Sequence, residues 1–306
     1  MAITAALWGA SYMFIKVALD GGLSEGFIIC ARTALGALVL VPLGLRAGAL
    51  APLLERRGWT AALALTQVIV PFGLITFGEN HVPSALAGIL VASSPLFVAL
   101  LAVRLDPEER SRGWGLVGIM LGMAGVVLLF GVDLSGDADT VIGGLMILGA
   151  GLSYAFAVLI VKRGFTGVPP VGVAASTMVL SAIVWLPVAL ASLPVHGPPA
   201  DAVASLLALG AGGTGIAFLF FYKSIAEVGP ARASVVAYVA PAFAVVYGAT
   251  LLGEAVTAGT IAGLALILAG SWLAARGGRD VVAEPAPVVS RSGPSRSSAP
   301  EPARVR

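Results

Sequence analysis

Apolar residues in this chain come in uninterrupted runs of about 17 to 22, separated by short stretches marked by Gly, Pro, Asp or Ser: DGGLSEG, DLSGDAD, TGVPP, PVHGPPAD. At about 1.5 Å per residue, a helix of that length crosses a hydrocarbon core about 30 Å thick. The pattern predicts ten spans: Ala2–Leu19, Phe27–Leu45, Trp59–Gly78, Ser84–Val103, Trp114–Phe130, Ile142–Val161, Val171–Ser192, Val203–Tyr222, Ala231–Leu252 and Thr257–Ala275. Pro42, Pro71 and Pro187 fall within or near spans, where neighbouring helices can satisfy the backbone groups that proline frees.

The pattern occurs twice. Val82–Glu108 and Val228–Glu254 each read as an apolar helix with a central proline, Pro95 and Pro241, 146 positions apart (241 − 95). The same offset pairs Phe97 with Phe243, Ala85 with Ala231, Glu108 with Glu254, Trp8 with Tyr154, and Lys16 with Lys162. A constant offset marks an internal duplication. Five spans per copy is an odd number, so the copies cross the membrane in opposite senses. The expected fold is therefore an all-α polytopic membrane protein, ten transmembrane helices in two inverted five-helix repeats, residues 1–135 and 136–275. Inverted repeats are typical of secondary transporters, with the site near the midplane between halves. Pro95 and Pro241 sit at that depth. Each leaves a carbonyl four residues back, Val91 or Ala237, without its usual donor. Either a neighbour meets that carbonyl at a simple kink, or the backbone lines a cavity.

Composition agrees with the pattern. Hydrophobic residues make up 58% of the chain and charged residues 11%, against about 25% charged in soluble domains. A net charge of +2 gives no reason to expect nucleic acid, and the single Cys30 rules out a disulfide within the chain or a cysteine metal site. The first span has no basic n-region, and Lys16 and Asp20 stand where a cleavage site would need small residues, so a retained helix is expected. Residues 276–306 are rich in Pro, Ser, Arg and Ala and are expected to form a disordered tail. All of the 18 basic residues except Lys16 and Arg32 fall in alternate loops and the tail, whereas an opposite loop carries Asp133, Asp137 and Asp139. By the positive-inside rule both termini are expected in the cytoplasm of a multi-pass plasma-membrane protein.

WGASYMFIKVAL in span one, ARTALGALVLVP in span two, SPLFVALLA in span four and APAFAVVYGATLLGEAVTAGTIAGLALILAG across spans nine and ten resemble the drug/metabolite transporter superfamily, of the EamA type. The resemblance covers nearly all of residues 1–275. It implies ten helices, alternating access and export of amino acids, other small metabolites or toxic compounds. One departure is that the first copy reads Asp106-Pro107-Glu108 where the second reads Leu252-Gly253-Glu254.

Arg32 is the strongest candidate for chemistry, about five residues or roughly 8 Å below the outer surface. Arg at mid-span costs at least about 2.5–3.5 kcal/mol, so it is expected to face the bundle or a wet cavity. It either ties helix carbonyls together or meets a carboxylate on a substrate. Lys16 and Lys162 snorkel to the nearer interface or contact substrate. Glu79 and His81 end span three at the outer face, where interfacial solvation or proton exchange in a coupled cycle would explain them. Glu108 and Glu254 are expected in loops near the start of the next helix, where an anion is favoured. Of the aromatic residues, Trp8 and Tyr238 stand out by motif and depth; Tyr12, Tyr154, Tyr222 and Tyr247 suit core or belt. Ser93 and Ser94 offer hydroxyls at the midplane or bond their own helix. The expected substrate contacts are Trp8, Tyr12, Lys16, Arg32, Glu79, Ser93, Ser94, Pro95, Tyr238 and Pro241.

GAGGTG at Gly210–Gly215 matches G-x-G-x-x-G, yet it lies inside an apolar span with no strand before it, so close helix packing explains it better than a dinucleotide. No phosphate-binding loop and no other cofactor motif is present, so ATP is not the direct energy source. An intramembrane enzyme would need a metal cluster or paired catalytic groups at depth, and His81 and His196 are both near ends or loops. A receptor or assembly factor remains a third class. The expected partners are the lipid bilayer, a small-molecule substrate and a second copy of the chain packed through Gly118-x-x-x-Gly122 and Gly259-x-x-x-Gly263 in spans five and ten.

Overall fold

The computed structural model describes residues 1–105, 113–132, 137–194 and 196–277. Among them there is no strand, and nine helices are long and apolar enough to cross a membrane. These are α1 (Ala2–Asp20), α2 (Glu25–Arg46), α3 (Arg57–Gly78), α4 (Ser84–Leu101), α5 (Trp114–Val132), α6 (Ala138–Gly164), α7 (Pro170–Ala191), α8 (Ala200–Ile225) and α10 (Ala258–Ala275). Between the last two lies a shorter apolar helix, α9 (Val236–Leu251). The ninth expected span is shorter because Pro230–Ala233 forms a separate turn of helix and tight turns at Ser234–Val235 interrupt the ladder. Glu108 and the tail beyond Gly277 lie outside the described residues.

Large apolar side chains point outward all round the bundle. Met120 is 73% exposed and Leu38 71%, while Leu40 and Leu90 are sealed inside at 0%. In water such a surface would aggregate; against lipid tails it costs nothing, so this is a multi-pass membrane protein. Where helices start near water, polar caps appear. Ser24 Oγ accepts the Phe27 N–H at 3.3 Å to open α2, and Asp137 accepts the Thr140 N–H at 2.7 Å to open α6.

The main contacts include α5 with α10, α2 with α7, α1 with α9, α4 with α6, α3 with α6, α8 with α1, and α2 with α8. Small residues allow the closest of them. A Cβ on Gly118 would sit 2.7 Å from the Gly270 carbonyl oxygen, and one on Gly125 2.9 Å from that of Gly263. The glycines of α5 and α10 therefore face each other within one chain, with no lipid between them. The GAGGTG glycines act likewise: Gly210 and Gly215 of α8 lie against Leu35 and Val39 of α2, and Gly213 against Ser11 of α1.

The two central prolines behave differently. At Pro95 the helix breaks, ending at Val91 and restarting at Ser94. Ser94 Oγ donates to the Val91 carbonyl at 2.6 Å and Ser93 Oγ to that of Leu90 at 2.6 Å. The freed carbonyl is thus met by the neighbouring serine on its own chain. Pro241 stays inside α9, buried, and the break falls upstream at Ser234–Val235.

Candidate functional site

Arg32 interrupts an otherwise apolar face of α2, and only 7% of it is exposed. Its Nε donates to Thr214 Oγ1 of α8 at 2.9 Å, and Thr214 donates to the Leu209 carbonyl at 3.0 Å. The guanidinium lies over the Phe72 ring of α3, 3.8 Å from its centroid. One edge and one face are held, and no other hydrogen bond to Arg32 forms among the described residues. Tyr12 of α1, Tyr154 of α6 and Glu79, just past α3, lie within electrostatic reach of it. A planar fork held this way keeps donors for a carboxylate. The bond to Thr214 also joins α2 to α8, through a hydroxyl and not a carbonyl.

Both helices that grip Arg32 are locally widened. Leu65–Ile69 of α3 and Ala208–Ile216 of α8 are π-helical, and residues 211–215 are the repeat equivalents of 65–69. In α3 the Val70 N–H donates to Leu65 O, five residues back. That register would pair residue 71 with Thr66 O, but Pro71 has no N–H. Ser153 Oγ of α6 donates to Thr66 O at 2.8 Å instead, and Trp185 Nε1 of α7 to Ile69 O at 3.4 Å. In α8 the Thr214 hydroxyl takes the carbonyl five back. A π turn re-aims side chains, and here it presents Gln67 and Thr214 inward. Gln67 and Tyr154, with Ala157 and the exposed Val158 and Val161, line a hollow of about 280 Å³ that is open to the outer surface. A second hollow of about 440 Å³ is bordered by Leu38, Val41, Pro42 and Ile183 on the apolar outer surface, where lipid tails fit.

Interfacial solvation does not describe Glu79. It is 0% exposed, and neither carboxyl oxygen has a hydrogen-bond partner. The end of α3 tucks under α6: a Cβ on Gly78 would lie 2.7 Å from Ile147 Cγ1, which puts the next residue on the covered side. Asn80 and His81 stay exposed. Lys16 Nζ reaches the Glu79 backbone oxygen at 3.4 Å and pairs with Asp20 at 3.3 Å, so it neutralises a different carboxylate.

Glu254 does not serve the next helix, α10, as the loop position suggested. Its Oε1 accepts the Ser84 N–H at 2.7 Å and its Oε2 the Ala85 N–H at 2.9 Å, capping α4 in the other half. Gly253 makes this reach feasible with φ at +69°, a left-handed turn that glycine adopts freely. Distance in sequence hid the partner.

The remaining candidates are dispersed. Trp8 meets Phe218 of α8 edge to face and Phe221 at a tilt, with centroids 5.8 and 5.0 Å away, and packs beside Val236 and Ala240 of α9. Ser93 and Ser94 donate to their own helix, next to Pro95. Tyr238 turns toward α10, its hydroxyl 3.5 Å from the Ser271 carbonyl, one turn before Pro241. The structure thus gathers Tyr12, Lys16, Arg32 and Glu79 and leaves Trp8, Ser93, Ser94 and Tyr238 on neighbouring walls. It adds Gln67, Tyr154 and Thr214. A lone amide in an apolar span was a legible signal for Gln67; Tyr154 had been assigned to packing.

Residues 1–131 and 141–276 each match the EamA-like transporter family. The chain is 32% identical over 258 residues to the uncharacterized inner membrane transporter YedA of Escherichia coli K12, covering 81% of this chain and 80% of that one. It is 29% identical to the probable terminal-alkyne amino-acid exporter of Streptantibioticus cattleyicolor, over 89% and 91%. With the probable amino-acid metabolite efflux pump of Salmonella typhimurium it shares 25%, over 72% and 76%. A crystal structure 21% identical aligns with a TM-score of 0.60, covering 90% of this chain and 99% of its own, which extends the likeness to the fold.

Proposed function

The chain belongs to the EamA-like transporter family, and on that premise we propose that it is a secondary transporter exporting a small metabolite, an amino acid or related compound, by alternating access. The observation that carries this reading is Arg32: buried among apolar spans, held on one edge by Thr214 and on one face by Phe72, with Tyr12, Tyr154 and Glu79 within electrostatic reach. A permanent cation in that setting suits the carboxylate of an amino acid. The relatives named as amino-acid exporters support the substrate class.

The ten-helix inverted repeat is part of the proposal. Exchanging α1–α5 with α6–α10 maps α2–α7 and α5–α10 onto themselves, α1–α9 onto α4–α6, and α3–α6 onto α8–α1, all of which are main contacts. Two π turns at equivalent positions give each half a place to bend. The split of Lys and Arg among the loops supports cytoplasmic termini.

Cells expressing the chain should release amino acids into the medium faster than control cells, and purified protein in liposomes should exchange them. Unchanged medium and no exchange would remove the transporter reading. For orientation, with Cys30 replaced, Asp137→Cys should react with an impermeant thiol reagent in intact cells and Arg110→Cys should not; the reverse pattern inverts the topology.

A further inference from the structure

The hollow between α3 and α6 joins two polar groups that have no partner. The Gln67 amide and the Tyr154 hydroxyl both line it, and neither side chain makes a hydrogen bond among the described residues. The rest of the wall is Ala157, Val158 and Val161 of α6. Gln67 stands ten residues from Arg57 and eleven from Gly78 (67 − 57 and 78 − 67), so it lies about halfway along the span. From Tyr154 the hollow follows α6 toward its Gly164 end, and the exposed Val158 and Val161 open it to whatever surrounds the bundle. At that depth the surroundings are hydrocarbon, which offers neither donor nor acceptor. An amide and a phenol left facing it are costly unless a guest supplies the missing bonds.

The other half closes the same place. The repeat equivalents of Gln67, Tyr154, Ala157 and Val161 are Gly213, Trp8, Ser11 and Ile15. A Cβ on Gly213 would lie 2.6 Å from Ser11 Oγ, so α8 and α1 touch at the place where α3 and α6 leave a hollow. Trp8 is taken up by Phe218 and Phe221, and Ile15 is 1% exposed against 41% for Val161. The π turn occurs in both halves, so it does not by itself make the hollow; the side chains do.

We propose that this hollow is a binding site for a small neutral amphiphile that reaches it through the membrane. Its apolar body lies against Ala157, Val158 and Val161, and one uncharged hydroxyl or amide bonds Gln67 and Tyr154. The chemistry follows from the wall. No charged side chain lines it, so an ion would gain nothing there for its lost hydration. A plain acyl chain would leave both polar groups unmet, whereas a hydroxyl can accept from the Gln67 amide and donate to the Tyr154 oxygen. A volume of about 280 Å³ is just under the range of about 300–1,000 Å³ usual for ligand pockets, which keeps the guest small. The hollow between α2 and α7 is lined by apolar residues alone and sets the baseline for lipid tails. The inference goes beyond the transport reading and stands without it.

The test is photolabelling of the full chain in liposomes with two diazirine probes of equal length, an octanol and an octane, followed by mapping of the modified residues. The alcohol should label α6 between Tyr154 and Val161 more than the hydrocarbon does, by about two- to tenfold for the net worth of one hydrogen bond. Both probes should label the α2–α7 hollow around Leu38 and Ile183 alike. Gln67→Leu should bring the α6 ratio down to that baseline, with melting temperature and α2–α7 labelling as the check on folding. Val158→Trp, at a half-exposed position, leaves the amide in place and fills the hollow, so it should abolish labelling of α6 there by the alcohol. Excess unlabelled octanol should protect the same stretch in wild type. Equal labelling by the two probes in wild type would mean that lipid tails occupy the hollow, and would overturn the proposal. An alcohol preference that survives both Gln67→Leu and Val158→Trp would overturn it as well.

Discussion

Position for position, Arg32, Glu79 and Tyr12 of the first half correspond to Met178, Ile225 and Val158 of the second. Backbone devices recur instead: a π turn in α3 and α8, a proline in α4 and α9, glycine contacts between α5 and α10. Met178 is fully buried in the core that contains Phe72, where its thioether fills volume without a charge. On the proposed alternating-access reading, deformable backbone is needed in both halves, whereas a site shared between them needs its charges once. A second buried guanidinium would require its own compensation in a low-dielectric interior. The ends differ as well. Glu254 caps α4 through the N–H of Ser84 and a left-handed Gly253; the equivalent sequence positions, 230 and 107, both carry proline, which has no N–H and a φ fixed near about −65°.

The sharpest test of the contrast is Arg32 against Met178. Arg32→Ala should cost about 2–5 kcal/mol of substrate affinity, because it strands a substrate carboxylate without its cation. Arg32→Lys should keep the charge, lose the fork and fall between, with acidic substrates suffering more than neutral ones. Met178→Leu should leave transport unchanged and cost less than about 1.5 kcal/mol of stability. The readouts are transport in liposomes and melting temperature in detergent. A parallel loss of both in the Arg32 variants, with substrate preference unchanged, would move Arg32 into the scaffold and erase the difference between the halves.

How much of this was legible depends on what encodes it. Span positions follow from transfer energy, which is local and additive, so the apolar runs located the helices to within a few residues; the largest departures are α6, longer at both ends, and α9, which starts at Val236 rather than Ala231. The burial of Glu79 depends on α6 closing over Gly78, a contact between residues 78 and 147 that no local pattern contains. The partner of Glu254 lies 170 positions away for the same reason. Helical periodicity cannot reveal a π turn in a helix that is apolar all round, since shifting the register by one residue changes no pattern. Pro71 was visible, but its effect needed Ser153 and Trp185 from two other helices to stand.

Next in size comes the cap that crosses the halves. Glu254→Ala should cost about 0.5–2 kcal/mol of stability by leaving two N–H groups of α4 unmet. Because it joins α4 to the α9 loop, its loss should also loosen that end of the bundle. With Cys30 replaced, Val82→Cys, at a site 2% exposed, should label faster in the Glu254→Ala background. Glu254→Gln, keeping one acceptor, should fall between, and Glu108→Ala should do less, since residue 230 offers no N–H. Equal effects of Glu254→Ala and Glu108→Ala would restore the symmetry denied above.

The smallest effect belongs to a cap that stays at home. Asp137 opens α6 by accepting from Thr140, three residues on, and the N–H and hydroxyl of Thr140 hold its carboxyl below the usual aspartate value. A depressed folded value means that the contribution of Asp137 is complete above the unfolded aspartate value of about 3.9 and fades as pH falls through the folded one. Asp137→Ala should therefore lower the melting temperature slightly at neutral pH, and the wild-type and variant curves should converge as pH falls through the depressed folded value. Asp137→Asn keeps an acceptor and should lie between the two at neutral pH. Transport should not change in either variant, because Asp137 is fully exposed and caps only its own helix. If Asp137→Ala slowed transport as much as Glu254→Ala does, the two caps would be doing the same job, and the distinction between a local cap and one that joins the halves would fall.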